Sequence, residues 1–305
     1  MSTTPPSAPL APRHWPGWLG VLALMAVARI PWPLQRALGR VVGSILRTSL
    51  RARGEIAARN IALCLPEMTP RDRDALLHEH FAALGIGIFE FARAWWGSIA
   101  PLRRGLQLEG LDHLQAARAD GRGVIVVSGH FTTLEVCGRL LCDHVPLAGM
   151  YRPYAQAAME WAVRRGRLRY AAAMFTKQDV RGAVRHLKRG GLLWYAPDQD
   201  PSRGDSVFVP FFGQPAHSLT STHQLARMSG AAVVLFEHVR RDDGGYTLRL
   251  LPALEGFPSS DASADTARIM AGIESMVRQA PAQYLWIHRR FKRRPPGMPD
   301  PYADA

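Results

Sequence analysis

Cysteine is scarce in this sequence, with three residues, Cys64, Cys137 and Cys142, in a chain of 305. Their odd number and the lack of a C-x-x-C pair argue against a disulfide framework and against a zinc site. The interpretation that remains is reduced, partly buried thiols in the cytosol. The sequence predicts neither a metal nor a bound cofactor.

Negative charge is also in short supply. There are 25 Asp and Glu residues against 38 Lys and Arg, a formal net charge of +13. The excess predicts an anionic partner, and nucleic acid, an acidic lipid surface and an acidic carrier protein all qualify. The basic residues are mostly Arg, which grips phosphate and carboxylate in a bidentate way. Because RNA-recognition, zinc-finger and other standard motifs are missing, a nucleic-acid-binding protein is the weaker alternative.

No apolar run is long enough to cross a bilayer without a charge or a proline. Residues 15–28 carry no charge, but as a helix they span about 21 Å, short of the roughly 30 Å hydrocarbon core. Residues 34–50 follow with apolar residues at helical spacing and arginines on another face, a pattern typical of an interfacial helix. The alternative is a helix packed on the domain with a solvated Arg face.

These patterns divide the chain into four parts. We predict a disordered N-terminus over residues 1–14, a membrane anchor with a basic amphipathic helix over residues 15–60, one catalytic domain over residues 61–296 and a tail over residues 297–305. Thr69 and Pro70 form an N-cap and first-turn signal for a helix that reaches Trp96.

From Leu106 onward, apolar runs of strand length alternate with segments of helical spacing. This alternation predicts an α/β fold, a mixed and largely parallel sheet covered by helices. The predicted strands are Leu106–Glu109, Val124–Val127, Leu147–Met150, Leu192–Tyr195, Val207–Phe211, Ala232–Glu237 and Tyr246–Leu251. The predicted helices are Leu111–Arg118, Thr132–Cys142, Ala155–Arg169, Val180–Arg189, Ser218–Ser229 and Ala264–Arg278.

The segment Gly121–Arg139 carries the strongest functional signal. Val124–Val127 is an apolar run that suits a buried strand, and the break after it places His130 in a strand-to-helix turn. Ligands bind at this edge of open α/β sheets. Glu135 follows five residues later, and it can meet His130 only if His130 lies in the turn and Glu135 in the helix. The alternative is a strand-ending histidine with an unrelated surface glutamate.

The His130-x4-Glu135 pattern resembles the H-x4-D/E signature of glycerolipid-type acyltransferases. Four later segments narrow the resemblance to the late acyltransferases of lipid A biosynthesis, of the lauroyl/myristoyl type; the likeness runs from the N-terminal apolar segment to about Pro296. They are Tyr151-Arg152-Pro153, Gly166-Arg167-Leu168-Arg169, Trp194-Tyr195-Ala196-Pro197-Asp198 and Trp286-Ile287-His288-Arg289-Arg290-Phe291-Lys292.

The resemblance implies an enzyme at the cytoplasmic face of the inner membrane. It would move a fatty acyl chain from acyl carrier protein, a co-substrate, to a hydroxyl of a lipid A precursor; the same chemistry on another membrane glycolipid or aminolipid is the alternative. His130 would be the general base and Glu135 would orient it. Ser128-Gly129 is not a G-x-S-x-G elbow and Cys137 falls within a helix, so transfer without an acyl-enzyme is predicted.

Five further residues are predicted to bind substrate. Arg152 follows a strand that ends at the same edge of the sheet, and the resemblance implicates Arg167. Each could hold an acceptor phosphate or steady the oxyanion. Asp198 ends another strand, which suggests acceptor binding or site architecture. Arg289 and Arg290 lie in a basic segment with an apolar lead-in, and we hypothesise that they bind the acceptor headgroup. The predicted partners are therefore acyl carrier protein, a lipid A precursor and an anionic membrane.

Overall fold

A computed structural model describes residues 7–303. Its centre is a seven-stranded sheet with the order β1-β9-β8-β2-β5-β3-β4, in which neighbouring strands are parallel except for the antiparallel pair β8–β9. The predicted mixed, largely parallel sheet covered by helices is confirmed. The strands are β1 Leu106–Glu109, β2 Val124–Val127, β3 Leu147–Tyr151, β4 Ala173–Thr176, β5 Leu192–Tyr195, β6 Ser206–Phe211, β7 Gln214–Leu219, β8 Ala232–Arg240 and β9 Tyr246–Ala253.

Alternation along the central strands supplies both halves of the core. In β2, Ile125 and Val127 point to one apolar cluster, and Val124 and Val126 point to the other. Each residue of β2 is fully buried, as expected for a parallel strand with helices on both faces. The apolar run that predicted this strand therefore reflects burial on both sides.

Two strands were not predicted, and one was predicted in the wrong setting. The strand over residues 206–211 pairs with Gln214–Leu219 in a separate antiparallel hairpin rather than in the main sheet. Its turn is Phe212-Gly213, where both residues have positive φ, the conformation that two-residue hairpin turns need. The other missed strand, β4, forms the edge of the main sheet.

The helices follow the predictions closely. Thr69 caps the long fourth helix, because its side chain accepts a hydrogen bond from the backbone of Asp72. The helices are α1 Trp15–Val27, α2 Trp32–Ser49, α3 Arg51–Cys64, α4 Pro70–Trp96, α5 Ala100–Arg104, α6 Leu111–Ala117, α7 Leu134–Leu141, α8 Ala157–Arg167, α9 Val180–Lys188, α10 Ser221–Ser229 and α11 Ala262–Gln279.

The N-terminal helices pack tightly on the rest of the protein. Glycines let α2 approach α4, since a Cβ on Gly43 would lie 2.2 Å from the carbonyl oxygen of Phe81. Ile56 and Ile61 of α3 lie in the main apolar core. The predicted boundary at residues 60 and 61 falls inside α3, so residues 15–60 are not a loosely attached arm.

The C-terminal residues also pack against these helices. Asn60 donates hydrogen bonds to the carbonyl oxygens of Trp286 and His288, at 2.6 and 2.7 Å. Its side-chain oxygen accepts from the hydroxyl of Tyr302, which is buried. The predicted tail therefore folds back as far as the described residues extend. At the other end, residues 1–6 of the predicted disordered segment lie outside the described range, and Pro12–His14 forms a turn of 3-10 helix.

Large apolar side chains remain exposed on the first two helices. On α1 they are Trp15, Leu19 and Leu22. On α2 they include Val41 and Ile45, which are both 57% exposed. A different helix, α4, is the one within residues 7–303 that is long and apolar enough to cross a membrane by length and composition. Over half of its apolar window is buried inside the protein, as in any core helix.

Candidate active site

The imidazole of His130 is held by Asp198. Nδ1 of His130 lies 2.6 Å from Oδ1 of Asp198, and the backbone N–H of His130 donates to Oδ2 at 3.0 Å. His130 follows β2 and Asp198 follows β5, which are parallel neighbours, so both lie at the carboxyl edge of the sheet. Because Nδ1 is engaged, Nε2 is the nitrogen left for a substrate proton.

Burial and charge shift the titration of this pair. Burial tends to lower the pKa of His130, but the Asp198 carboxylate outweighs it, so the pKa is raised above the usual value. Burial tends to raise the pKa of Asp198, but the imidazole and its hydrogen bonds, together with the hydroxyl of Tyr284, lower it to about 2. That hydroxyl donates to Oδ2 at 3.0 Å. Asp198 is therefore a carboxylate at neutral pH.

The predicted contact between His130 and Glu135 is wrong in this structure. Glu135 instead forms an ion pair with Arg167. Nη2 of Arg167 donates to Oε1 of Glu135, and Nε of Arg167 donates to Oε2 at 3.3 Å. Glu135 lies at the start of α7, whose first turn carries it towards the end of α8. Asp198, predicted to serve acceptor binding or architecture, is the carboxylate that contacts the imidazole.

Arg167 is largely buried rather than open to solvent. Its guanidinium lies between Trp95 and Tyr151, 5.9 and 5.2 Å from the ring centroids. Burial tends to lower its pKa, but Glu135 and the nearby tyrosines raise it. Nη1 is buried without a hydrogen-bond partner in the described structure, although Arg167 lines the cleft described next.

An open cleft of about 640 Å³ brings these groups together. Its lining includes the polar residues His130, Glu135, Arg167 and the exposed Arg152, together with apolar and small side chains. Arg152 thus lies where its position after β3 predicted. The volume of this cleft is in the range of ligand-binding sites, and its lining can contact both polar and apolar parts of a ligand.

The two arginines of the C-terminal segment do not line this cleft, although Arg290 lines a separate small cavity beside His130 and Asp198. Arg290 is 3% exposed, and its guanidinium donates to the carbonyl oxygen of His217 at 2.6 Å and to Oγ of Ser218 at 2.5 Å. Arg289 lies over the ring of Tyr302 and does not line the cleft. The guanidinium of Arg290 is thus engaged by the β6–β7 hairpin, and its binding of the acceptor headgroup stays a prediction.

Arg290→Ala should act on stability. It leaves two acceptors unpaired in the interior, at a cost of about 1–3 kcal/mol each. We expect a lower midpoint in urea unfolding and an unchanged KM for the acceptor, measured below the unfolding transition. Lys292→Ala, at an exposed neighbour, is the control and should change neither. A raised KM with unchanged stability would support the headgroup role.

No group of three or more His, Cys, Asp or Glu side chains that could hold a metal ion occurs in residues 7–303. Asp198 and Asp200 are two residues apart in the sequence, as in some metal-binding patterns, but they have separate partners. Asp200 binds Nδ1 of His217 and Nη1 of Arg293, at 3.1 and 3.3 Å.

Tyr284 is a site residue that the sequence analysis did not predict. Its position in the apolar segment that precedes the basic run was the one sequence feature that could have indicated it.

The fold and the site define an α/β enzyme whose histidine, paired with an aspartate, borders a cleft lined by both cationic and apolar side chains. Residues 7–293 match the family model for bacterial lipid A biosynthesis acyltransferases. The chain belongs to this family, and the resemblance carried by its five segments is confirmed.

Two curated relatives from Escherichia coli K12 support the assignment. The lipid A biosynthesis palmitoleoyltransferase is 40% identical over 290 residues, 94% of each chain. The lipid A biosynthesis lauroyltransferase is 38% identical over 298 residues, 97% of each chain. Among solved structures, a 1-acyl-sn-glycerophosphate acyltransferase from Thermotoga maritima has a TM-score of 0.39 at 15% identity, covering 82% of this chain and 99% of that one.

Proposed function

We propose that this acyltransferase moves a fatty acyl chain from acyl carrier protein to a hydroxyl of a lipid A precursor, at the cytoplasmic face of the inner membrane. The observation that carries the proposal is the His130–Asp198 pair beside a cleft lined by both cationic and apolar side chains. The named reactions of the relatives, palmitoleoyl and lauroyl transfer in lipid A biosynthesis, support the substrate class.

The pair gives a mechanism of direct transfer. Nδ1–H of His130 donates to Asp198, which fixes the tautomer and leaves Nε2 basic. Nε2 takes the proton of the acceptor hydroxyl as its oxygen attacks the thioester carbonyl. The tetrahedral oxyanion collapses, the C–S bond breaks, and the imidazolium returns the proton to the departing thiolate. Asp198 stabilises the imidazolium between the two proton transfers.

Two cations face this reaction from the mouth of the cleft. Arg167 has an unpartnered N–H group, and its pairing with Glu135 fixes where that group lies. Arg152 is exposed, and its side chain has no hydrogen bond or ion pair within residues 7–303. We assign Arg167 to the oxyanion, because a rigidly held donor suits developing charge, and Arg152 to an acceptor phosphate.

The cysteines support transfer without an acyl-enzyme. Cys64 and Cys137 are buried, and burial raises the pKa of both thiols. Burial also raises the pKa of Cys142 to about 12. Thiols in this state are protonated at neutral pH and are poor nucleophiles.

Free positive charge at the rim supports anionic substrates. Lys177 and Arg203 are exposed, line the cleft and, like Arg152, have no side-chain partner within the described range. An acidic carrier protein and a phosphorylated acceptor would both be attracted here. The cationic rim would be attracted to anionic lipid headgroups, and the exposed apolar side chains of α1 and α2 would enter the boundary between headgroups and acyl chains. We therefore place the enzyme on an anionic membrane.

Membrane attachment predicts the behaviour of a double variant on α2. Val41→Glu with Ile45→Glu should weaken binding to phosphatidylglycerol vesicles by at least about tenfold, since burying one such side chain contributes about 1.5–3 kcal/mol. Both side chains are exposed, so circular dichroism should show an unchanged fold. Met298→Glu adds charge at an exposed apolar residue of the C-terminal segment and should bind like the wild type. Equal binding of all three proteins would remove α2 from the membrane face.

The reaction itself is tested with purified components. The enzyme is given acyl carrier protein thioesters or coenzyme A thioesters, with a lipid A precursor in detergent, and products are followed by mass spectrometry. The proposal predicts a product heavier by one acyl chain and a higher kcat/KM with the carrier protein. Transfer from coenzyme A thioesters alone would contradict the donor.

A further inference from the structure

Helix α9 carries a row of exposed positive charge. Arg181, Arg185, Lys188 and Arg189 are exposed, and within residues 7–303 their side chains have no hydrogen bond or ion pair. Their spacing of three or four residues places Arg181, Arg185 and Lys188 on one face of the helix, and Arg189 follows its last residue. The row spans about 12 Å from Arg181 to Arg189. We call these four residues the α9 stripe.

The charge of the α9 stripe is not balanced within its own segment. Residues 180–190 contain no Asp or Glu. The carboxylate of Asp179, the N-cap residue, accepts a hydrogen bond from the backbone N–H of Gly182. Like charges three or four residues apart repel one another and destabilise a helix, so the stripe lowers the stability of α9 on its own. An anionic partner bound along the stripe would remove this repulsion.

The α9 stripe borders the cleft. Val180, the residue before Arg181, is 38% exposed and lines the cleft. Helix α10 packs against α9, and its Met228 is 46% exposed and lines the cleft as well. A partner bound along the stripe would therefore lie at the edge of the cleft, with two exposed apolar side chains beside it.

The α9 stripe and helix α1 lie on opposite faces of the sheet. The connections β3–α8–β4 and β4–α9–β5 run in opposite directions along the sheet, so right-handed crossovers place α8 and α9 on opposite faces. Helix α1 packs on α8, where the rings of Trp18 and Trp161 lie 5.5 Å apart. In the proposed membrane attachment, the stripe is thus on the face away from the bilayer that α1 enters, where a soluble partner can reach it.

We propose that the α9 stripe is the docking surface for the acyl carrier protein that delivers the donor chain. The inference rests on the proposed function, which names this donor but not the surface that binds it. The carrier protein is acidic, and the length of the stripe, about 12 Å, matches two turns of an acidic helix laid along it. The donor thioester is attached to the carrier through a flexible prosthetic arm, which enters the cleft past Val180 and Met228.

Charge reversal on α9 tests the docking surface. Arg181→Glu with Arg185→Glu should raise the KM for an acyl carrier protein thioester at least about tenfold at low salt and leave kcat unchanged, because charges at an interface act on association. The difference from the wild type should shrink as the ionic strength rises. Arg71→Glu with Arg104→Glu is the charge-matched control. Both arginines are exposed and do not line the cleft, so this KM should stay unchanged.

Two further measurements identify the bound partner as the carrier protein. An acyl phosphopantetheine thioester, which is the donor arm without the protein, should be used equally well by the wild type and the α9 double variant. A carrier protein with surface acids changed to Lys should be a poor donor for the wild type, and the α9 double variant should recover activity with it, because the charges are then complementary again.

The outcomes separate this inference from the proposed function. If the wild type transfers no chain from any carrier protein thioester, the proposed function fails. If it does transfer, but the α9 double variant keeps the wild-type KM at low salt, the carrier docks elsewhere. Weaker binding to phosphatidylglycerol vesicles with an unchanged KM for the carrier would assign the stripe to lipid and overturn the proposal. An equal loss with both donors would do so too. If the double variant does not fold, Arg185→Glu alone decides by the same measurements.

Discussion

His130→Ala should lower the turnover number by about 10²–10⁴-fold, because in the proposed mechanism its imidazole takes the hydroxyl proton in the transition state. Within residues 7–303, the one hydrogen-bonding partner of the His130 imidazole is Asp198, which also accepts a hydrogen bond from the backbone N–H of His130. The measurement is kcat at saturating donor and acceptor. Thermal unfolding of the same sample checks that the protein is intact.

His144→Ala is the matched control, since His144 is an exposed histidine just beyond the end of α7. It should leave kcat unchanged. Near-wild-type turnover in His130→Ala would remove the general base from the mechanism, whatever the effect on KM.

Asp198→Asn should lower the turnover number by about 10²–10⁴-fold, because a neutral amide no longer stabilises the imidazolium formed during transfer. It should also move the pH profile. Activity requires neutral His130, so in the wild type kcat/KM falls as the pH drops through the raised pKa of His130. Without the carboxylate that raises this pKa, the acid limb should move to lower pH.

The same variant has a stability signature. The lowered pKa of Asp198 means that its pairing stabilises the folded state above the usual pKa of an aspartate, and that this contribution is lost as the pH falls towards about 2. Asp198→Asn should therefore reduce the extra loss of stability in acid. Urea unfolding at several pH values measures it.

Glu135→Gln is the matched carboxylate-to-amide control for the pH profile. It should leave the acid limb in place and lower stability by about 3 kcal/mol, because Arg167 would remain buried without its charge partner. If Glu135→Gln moves the limb and Asp198→Asn does not, the imidazole is oriented by Glu135 in the working enzyme.

Local patterns in the sequence predicted the position of His130, and long-range contacts decided its partner. The strand, turn and helix around His130 are encoded within 20 residues, so the apolar run and its break were sufficient. Asp198 lies 68 residues away and reaches His130 because β2 and β5 are neighbours. Strand order is set by packing of the whole sheet, and no spacing in one sequence reports it. The spacing and the resemblance indicate Glu135 instead, because it completes the His130-x4-Glu135 pattern.

Arginine burial is likewise hidden in the sequence. A run of basic residues such as Arg289 to Arg294 is typical of exposed charge. Arg290 is nevertheless buried, because its guanidinium N–H groups donate to a backbone carbonyl and a hydroxyl oxygen of the hairpin. The missed strands have a similar explanation. Gln214–Leu219 contains proline and polar residues, and it becomes a strand only by pairing with its neighbour across the turn.

The contacts of Asn60 and Tyr284 affect how the protein is made as well as how it works. The ribosome delivers the first helices long before the last residues, and domains begin to fold in that order. Until residues 284–302 leave the exit tunnel, Asn60 lacks its partners and Asp198 lacks the Tyr284 hydroxyl. The hydrogen bonds of Asn60 and Asp198 are therefore completed only when segments far apart in the chain have both been made and have packed together.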